Sequence, residues 1–223
     1  MFAAPDRSLS IPRAATIRQL YYGNTPFVKG CDAAGDAPVL SRLKSDADRL
    51  LSRPANFLVD HGFTPNVLTL IGLAIGVIAG IVLAFGFFVA GGVLILLTGF
   101  VDTLDGAVAR NGRTTTTFGA TLDSISDRYV DCIVLLGLGI AGVNWLYVGV
   151  ALMGSLLVSY VRAKAEGMGI SCTAGVAERS ERLIILAIGL IVGLVEPAVL
   201  LVAILAQFTA LWRAGLLLRR TSR

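Results

Sequence analysis

The run of residues 66–101 constrains the fold of this chain more than any other stretch, because its 36 residues include no charged side chain. A membrane-spanning helix needs roughly 20 apolar residues, so this run predicts two such helices rather than one. The adjacent glycines Gly91 and Gly92 are the natural turn between them. The chain of 223 residues is 55% apolar and only 15% charged, whereas soluble domains carry about 25% charged residues. The sequence therefore predicts an all-α integral membrane protein.

Six transmembrane helices account for the apolar segments, and together they form a predicted domain at residues 66–220. An amphipathic helix and a turn precede them at residues 40–65, and this helix is expected to lie in the membrane interface. Residues 1–39 carry no motif and form an N-terminal extension of unknown role. The six helices are predicted near residues 66–89, 92–111, 117–142, 144–167, 178–195 and 197–219.

The distribution of lysine and arginine indicates the orientation in the membrane. Neither occurs in residues 54–109, 129–161 or 183–212, and the basic residues instead cluster at alternate ends of the six-helix path. The positive-inside rule then places both termini and these clusters in the cytoplasm. We therefore predict a multi-pass protein of the plasma membrane, with the lipid bilayer as its surroundings. The formal net charge of +4 is a topology signal, so no nucleic-acid partner is predicted.

Four aspartates follow the uncharged run, at the predicted ends of the second and third helices. Asp102 and Asp105 are three residues apart, and Asp123 and Asp127 are four apart, so each pair projects from one helix face. Carboxylates at membrane depth are costly unless they are paired, hydrated or bound to metal. Hard divalent cations prefer carboxylate oxygens, and two such ions about 4 Å apart can clamp a phosphoryl group during transfer. The pairs therefore predict a divalent-metal site between two neighbouring helices.

The residues around these aspartates favour a phosphate ligand. Gly106, Ala109 and Gly119 are small where a larger side chain would block a ligand. Arg110 lies where a phosphate needs a counter-charge. With the four aspartates, these residues satisfy the pattern D-x2-D-G-x2-A-R-x8-G-x3-D-x3-D. This pattern resembles the signature of the CDP-alcohol phosphotransferase family.

The resemblance implies an enzyme with six membrane helices, a homodimeric assembly and two bound divalent ions, expected to be Mg²⁺ with Mn²⁺ as the alternative. It implies that an alcohol displaces CMP from a CDP-linked lipid. By the resemblance, Asp102, Asp105 and Asp123 bind metal. Asp127 both binds the second metal and serves as the general base that takes the proton of the alcohol. The resemblance assigns CDP-lipid binding to Gly106, Ala109, Arg110 and Gly119.

Basic residues in the second half of the chain indicate the class of acceptor. So many cations at the predicted face of the aspartates suit an acceptor that carries its own phosphate, although ordinary positive-inside charge is the alternative explanation. The segments at 162–166 and 178–185 are similar to those of phosphatidylinositol phosphate and archaetidylinositol phosphate synthases, which implies that the acceptor is inositol 1-phosphate. The predicted acceptor-phosphate ligands are Arg162, Lys164, Arg179, Arg182 and Arg213.

Three alternatives stay open at the level of sequence. Glycerol 3-phosphate also carries a phosphate and would explain the same cations. A divalent-cation transporter could use the aspartates for selectivity, although they are predicted at one membrane face and beside a glycine-bordered pocket. A structural membrane protein without catalysis is disfavoured by the four intact aspartates.

Three further polar sites are each open to two interpretations. Asp131 is expected to pair with Arg128 or with a neighbouring helix rather than to bind metal. Asn66 is expected to cap a helix rather than to contact a diphosphate. Residues 114–117 either line the nucleotide site or form an ordinary polar loop.

Overall fold

The computed structural model describes residues 53–112, 115–170 and 177–221, and within these ranges the chain is almost entirely helical. The predicted all-α class is confirmed for this part of the chain. A short helical segment at residues 53–60 leads into the first long helix. The six long helices are α1 (Pro65–Ala84), α2 (Phe88–Asn111), α3 (Thr117–Ile140), α4 (Trp145–Gly167), α5 (Arg179–Val192) and α6 (Val195–Thr221).

The turn between α1 and α2 lies earlier than Gly91 and Gly92, so its predicted position is wrong. The chain reverses at residues 85–87, where Gly86 has a φ of 82°, a left-handed conformation that favours glycine. Gly91 and Gly92 are instead buried inside α2. A side chain on Gly92 would meet the carbonyl oxygen of Ala187 on α5 at 2.9 Å. This glycine therefore permits close helix packing rather than a turn.

The other two turns at this end of the bundle lie close to their predicted positions. Gly142, with a φ of 98°, follows α3, and the Asn144 side chain accepts a hydrogen bond from the Leu146 amide at the start of α4. Gly193, with a φ of 85°, ends α5, and Glu196 lies in the first turn of α6. Because these turns are short, successive helices alternate in direction. The ends of α2 and α4 and the beginnings of α3 and α5 therefore lie at the opposite end.

Four helices in the described part of the chain, α1, α2, α4 and α6, are long and apolar enough to cross a membrane. Helix α5 has 14 residues, or about 21 Å at 1.5 Å per residue, which is shorter than the roughly 30 Å apolar core of a bilayer. Helix α3 has 24 residues but carries several charged side chains in its first half. The count of six membrane spans therefore stays a prediction.

The segment at 53–60 packs against the start of α1 and the second half of α2. Ala55 is fully buried in this contact, and the Asn111 side-chain amide donates a hydrogen bond of 2.8 Å to Asn56 Oδ1. Residues 1–52, which include the N-terminal extension and most of the predicted amphipathic helix, lie outside the described residues.

Glycines also bring other helix pairs close together. Between α1 and α3, a side chain on Gly137 would collide with the carbonyl oxygen of Gly80. Between α4 and α6, a side chain on Gly154 would meet the Ala206 methyl group at 2.8 Å. Helix α1 packs against both α2 and α3. This packing places the beginning of α3 beside the end of α2, where the sequence motif lies.

The α1–α3 contact predicts a difference between two glycine-to-alanine changes. Gly137→Ala should lower the free energy of unfolding by about 1–3 kcal/mol relative to Gly149→Ala, because overpacking a close contact forces backbones apart. A side chain on Gly149 would meet no atom within 4 Å, so both variants gain the same helix propensity and only one clashes. Unfolding in detergent, followed by circular dichroism, measures the difference. Equal stabilities would show that the helices do not approach this closely.

Candidate active site

Three carboxylates come together where the end of α2 meets the beginning of α3. Asp102 lies on α2, Asp123 and Asp127 lie on α3, and one oxygen from each lies within 4.8 Å of the other two. All three are half-buried, so they are partly shielded from water but accessible to a ligand. Carboxylate oxygens at this spacing fit a hard divalent cation. The two helices therefore converge as predicted for these three aspartates.

The fourth aspartate, Asp105, is more deeply buried, with 6% of its surface exposed. Its Oδ2 accepts a hydrogen bond of 2.7 Å from the Thr69 hydroxyl on α1. Both residues line the small space enclosed by the other three aspartates. Thr69 was missed in the sequence, where the available signal was a hydroxyl within the uncharged run of α1. The hydrogen bond satisfies a carboxylate that would be costly to bury alone.

A cavity of about 240 Å³ adjoins the aspartates between α1, α2 and the start of α3. Asp105 and Asp123 form part of its wall, so a ligand in this cavity would reach the carboxylates. The wall also includes all four residues to which the resemblance assigns CDP-lipid binding. These are Gly106, Ala109, Arg110 and Gly119.

Asn66 also lines this cavity, whereas the sequence favoured a helix-capping role for it. The N-cap position of α1 belongs to Thr64, so Asn66 is not the cap. A side chain on Gly119 would meet Asn66 Oδ1 at 2.8 Å and would therefore displace the Asn66 side chain from its place in the cavity wall. Thr115 and Thr116 complete this side of the cavity, and the Thr116 hydroxyl caps α3 by accepting a hydrogen bond from the Gly119 amide at 3.0 Å. The interpretation of this loop as part of the site is therefore favoured over an ordinary polar loop.

An arginine from α5 reaches into the aspartate group. Arg179 Nη1 lies 2.9 Å from Asp127 Oδ1 and 3.5 Å from Asp102 Oδ2. Its Nε donates a hydrogen bond of 3.2 Å to Asp131 Oδ1. Arg128 Nη1 lies 3.3 Å from the other oxygen of Asp127. Asp131 therefore pairs with a neighbouring helix, one of its two predicted partners.

Two further members of the predicted acceptor group are buried beside this network. Arg182 and Arg213 each have 4% of their surface exposed, and Arg182 lies within electrostatic reach of Asp131 and of three arginines, Arg179, Arg213 and Arg128. Arg179 and Arg182 line one cavity together with Asp131. Several positive charges held close together in a shielded place favour binding of an anion.

The remaining two members of the predicted acceptor group lie differently. Arg162 and Lys164 are exposed near the end of α4. Arg162 Nε donates a hydrogen bond of 2.8 Å to Glu166 of its own helix, and 53% of each of these two side chains is exposed. The structure therefore brings together the arginines of α5 and α6 but places these two residues at the surface.

The arrangement offers adjoining places for a metal and two ligands at one end of the helix bundle. The carboxylates can hold divalent cations, and the glycine-bordered cavity adjoins Asp105 and Asp123. Arg179 lines a groove of about 260 Å³ between α2 and α5, next to Asp102. The space that Arg179 and Arg182 line together measures only about 20 Å³, which is room for about one water molecule. Such a constellation suits transfer of a phosphoryl group between two phosphate-bearing molecules.

Comparison with known proteins agrees with this arrangement. The sequence pattern of the family described as CDP-alcohol phosphatidyltransferase matches residues 63–216. The chain is 38% identical over 183 residues to the archaetidylinositol phosphate synthase of Methanothermobacter thermautotrophicus, and the alignment covers 79% of this chain and 89% of that protein.

Crystal structures of the Mycobacterium tuberculosis phosphatidylinositol phosphate synthase have a similar fold. The structure with CDP-DAG bound has a TM-score of 0.68 at 30% identity and covers 76% of this chain and 94% of that one. The complex with manganese and citrate has a TM-score of 0.69 at 30% identity and covers 75% and 88%. The matched region includes all four aspartates and the cavity beside them. The chain thus belongs to the CDP-alcohol phosphatidyltransferase family and is an integral membrane phosphotransferase.

Proposed function

We propose that this protein transfers the lipid-bearing phosphate group of a CDP-linked lipid to inositol 1-phosphate and releases CMP. The observation that carries the proposal is the joint position of a cavity and a groove beside one aspartate group. The motif residues line the cavity of about 240 Å³, and Arg179 lines a groove of about 260 Å³ next to Asp102. The names of the relatives, which are synthases of inositol phosphate lipids, support the choice of acceptor.

We propose that the four aspartates hold two divalent ions, Mg²⁺ or else Mn²⁺. Asp102, Asp123 and Asp127 present oxygens at a fitting spacing, and Asp105 lines the same small space. The manganese complex of the relative supports a divalent metal. Ions bound there would offset the charge of the diphosphate and of the departing CMP.

In the proposed reaction, the acceptor hydroxyl attacks the phosphorus that carries the lipid. A new bond forms between the acceptor oxygen and phosphorus, the bond from that phosphorus to CMP breaks, and the electron pair leaves with CMP. Asp127 takes the proton of the hydroxyl as general base. Gly106, Ala109 and Gly119 leave room for the CDP group, and Arg110 provides a positive charge beside its phosphates.

We propose that Arg179, Arg182 and Arg213 bind the acceptor phosphate. Arg182 and Arg213 are buried, Arg179 is half-buried, and Arg182 lies within electrostatic reach of the other two. This supports the role, because charge-assisted hydrogen bonds are strongest where water is excluded. Arg162 and Lys164 are proposed to attract the acceptor at the entrance, in keeping with their exposure.

In the membrane, we propose six spans at residues 66–220, an interfacial helix and turn at 40–65, and a separate extension at 1–39. Short turns at one end of the bundle, without basic residues, support an orientation with both termini and the active site in the cytoplasm. The plasma membrane and a homodimer complete the proposal. A cation transporter is less well supported, since the chain belongs to a phosphotransferase family.

The proposed function predicts which acceptor supports CMP release. Purified protein with a CDP-linked lipid and Mg²⁺ should release CMP when inositol 1-phosphate is added and should release none with free inositol, which lacks the phosphate that the arginines bind. The measurement is CMP by chromatography, with boiled protein as the blank. Glycerol 3-phosphate is the competing acceptor, and turnover with it alone would replace inositol 1-phosphate in the proposal.

A further inference from the structure

The Arg179 side chain borders three spaces in the described part of the protein. It lines the small space enclosed by the aspartates and the cavity that holds Asp131 and Arg182. It also lines a groove between α2 and α5 beside Asp102. One side chain therefore joins the region proposed for metal to the region proposed for the acceptor phosphate.

The contacts of Arg179 compete with those of a divalent cation. Its Nη1 atom lies 2.9 Å from Asp127 Oδ1 and 3.5 Å from Asp102 Oδ2, and both carboxylates belong to the group that can hold a cation. Two positive centres held by the same two carboxylates repel each other in a partly buried place. A cation bound by these carboxylates must therefore displace the guanidinium or weaken its hold.

A second contact keeps Arg179 near the site after such a displacement. Its Nε lies 3.2 Å from Asp131 Oδ1, and Asp131 is outside the group of three cation-holding carboxylates. Asp131 and Arg182 line the same cavity. With Nε held by Asp131, the guanidinium stays next to Arg182 when Nη1 leaves the carboxylates.

We propose that Arg179 is a positioning residue that couples metal binding to acceptor binding, with Asp131 as its tether. Before metal binds, Arg179 balances the charge of Asp102 and Asp127. Metal binding takes over these carboxylates, and the guanidinium becomes free to bind an anion in the groove between α2 and α5 that it already lines. The acceptor half of this inference rests on the proposed function, whereas the competition with metal does not.

The coupling has a consequence that can be measured without turnover. Removing the competing guanidinium should tighten metal binding, and the effect should depend on contact rather than on charge alone. Arg182→Gln is the matched control, because it removes the same charge one turn away, where no contact with Asp102 or Asp127 is found among the described residues.

The affinity for Mn²⁺ tests the proposal. Full-length protein in detergent is first stripped of metal with EDTA, and free Mn²⁺ is then measured by electron paramagnetic resonance during a titration. We expect Arg179→Gln to bind Mn²⁺ about tenfold more tightly than wild type, within the range typical of coupled sites. Arg182→Gln should change the affinity by less than about threefold, since Arg182 makes no described contact with Asp102 or Asp127 and acts on a bound ion only over a longer distance. Equal changes in the two variants, or no change in either, would overturn the proposal.

A second measurement keeps the proposal falsifiable if Arg179→Gln loses stability. Saturating Mn²⁺ should raise the melting temperature more in Arg179→Gln than in Arg182→Gln, because only the first variant leaves Asp102 and Asp127 without their guanidinium partner. A smaller rise in Arg179→Gln would contradict the competition.

Because coupling between two binding sites is reciprocal, the proposal also predicts how the metal changes binding of the acceptor. Mn²⁺ should tighten binding of inositol 1-phosphate to wild type, and this gain should shrink by about tenfold in Arg179→Gln, the same factor found for the metal. An unchanged gain would limit Arg179 to the metal site and overturn the coupling. Failure of wild type to release CMP with inositol 1-phosphate would instead refute the proposed function and leave the Mn²⁺ result standing.

Discussion

Replacing Asp127 by asparagine should lower kcat for CMP release by about 10²–10⁴-fold, the usual contribution of a general base. Asparagine keeps the size of the side chain, but it cannot take up the proton of the attacking hydroxyl. It is also a weaker ligand for a hard cation. Binding of the CDP-linked lipid should change by less than about threefold, because the cavity is lined by other residues. Steady-state CMP release and equilibrium binding of the lipid measure the two effects separately.

Asp60→Asn is the matched control for this variant. Asp60 is exposed and lies outside the walls of the cavities described above, so the same chemical change there should leave kcat unaltered. If Asp127→Asn kept a kcat within tenfold of wild type, Asp127 would not be the base. A loss of lipid binding as large as the loss of turnover would make its role structural.

The second large effect is expected at the acceptor site. Arg182→Gln should raise the KM for inositol 1-phosphate by about 10–100-fold, since a hydrogen bond to a charged group contributes about 1.5–3 kcal/mol. Arg182 is buried and lies close to two other arginines of the group. The KM for the CDP-linked lipid should stay within about threefold, which also reports that the variant is folded. Initial rates with each substrate varied in turn give both constants.

Arg162→Gln provides the comparison, because it removes the same charge from an exposed side chain that pairs with Glu166. We expect its KM for the acceptor to change by less than about threefold, as is usual for exposed charges screened by salt. Equal changes in both variants would mean that the predicted acceptor residues act only as general positive charge at the membrane surface. Equal changes in the KM of both substrates in Arg182→Gln would place Arg182 outside the acceptor site.

The sequence predicted the limits of several helices more accurately than the position of the first turn. Helices α2, α3 and α4 begin and end within a few residues of their predicted limits, because apolar periodicity and the charged residues that follow it mark helix ends. The first turn was misplaced because glycine has two uses in membrane helices, close packing and positive φ. Gly91 and Gly92 serve packing, whereas Gly86 provides the turn.

In the candidate site, too, the sequence predicted the features that depend on local spacing but not those that depend on another helix. The resemblance named four of the residues that line the 240 Å³ cavity, and the helical spacing of the aspartates predicted that the aspartates would converge. The roles of Thr69, Asn66 and Asp131 could not be read from spacing, because each depends on a partner from another helix. The partner of Asp131 lies 48 residues away in sequence.

The sequence by itself determined the class of molecule, the helical pattern and the residues of the metal-binding motif. These depend on local properties: the length of apolar runs, the placement of charge, and the spacing of side chains along one helix. Only the tertiary structure divided the five predicted acceptor residues into a buried group and an exposed pair. It alone placed Arg179 among the aspartates. The physical reason is that burial and ion pairing arise from the packing of helices distant in sequence, which spacing within one helix does not specify.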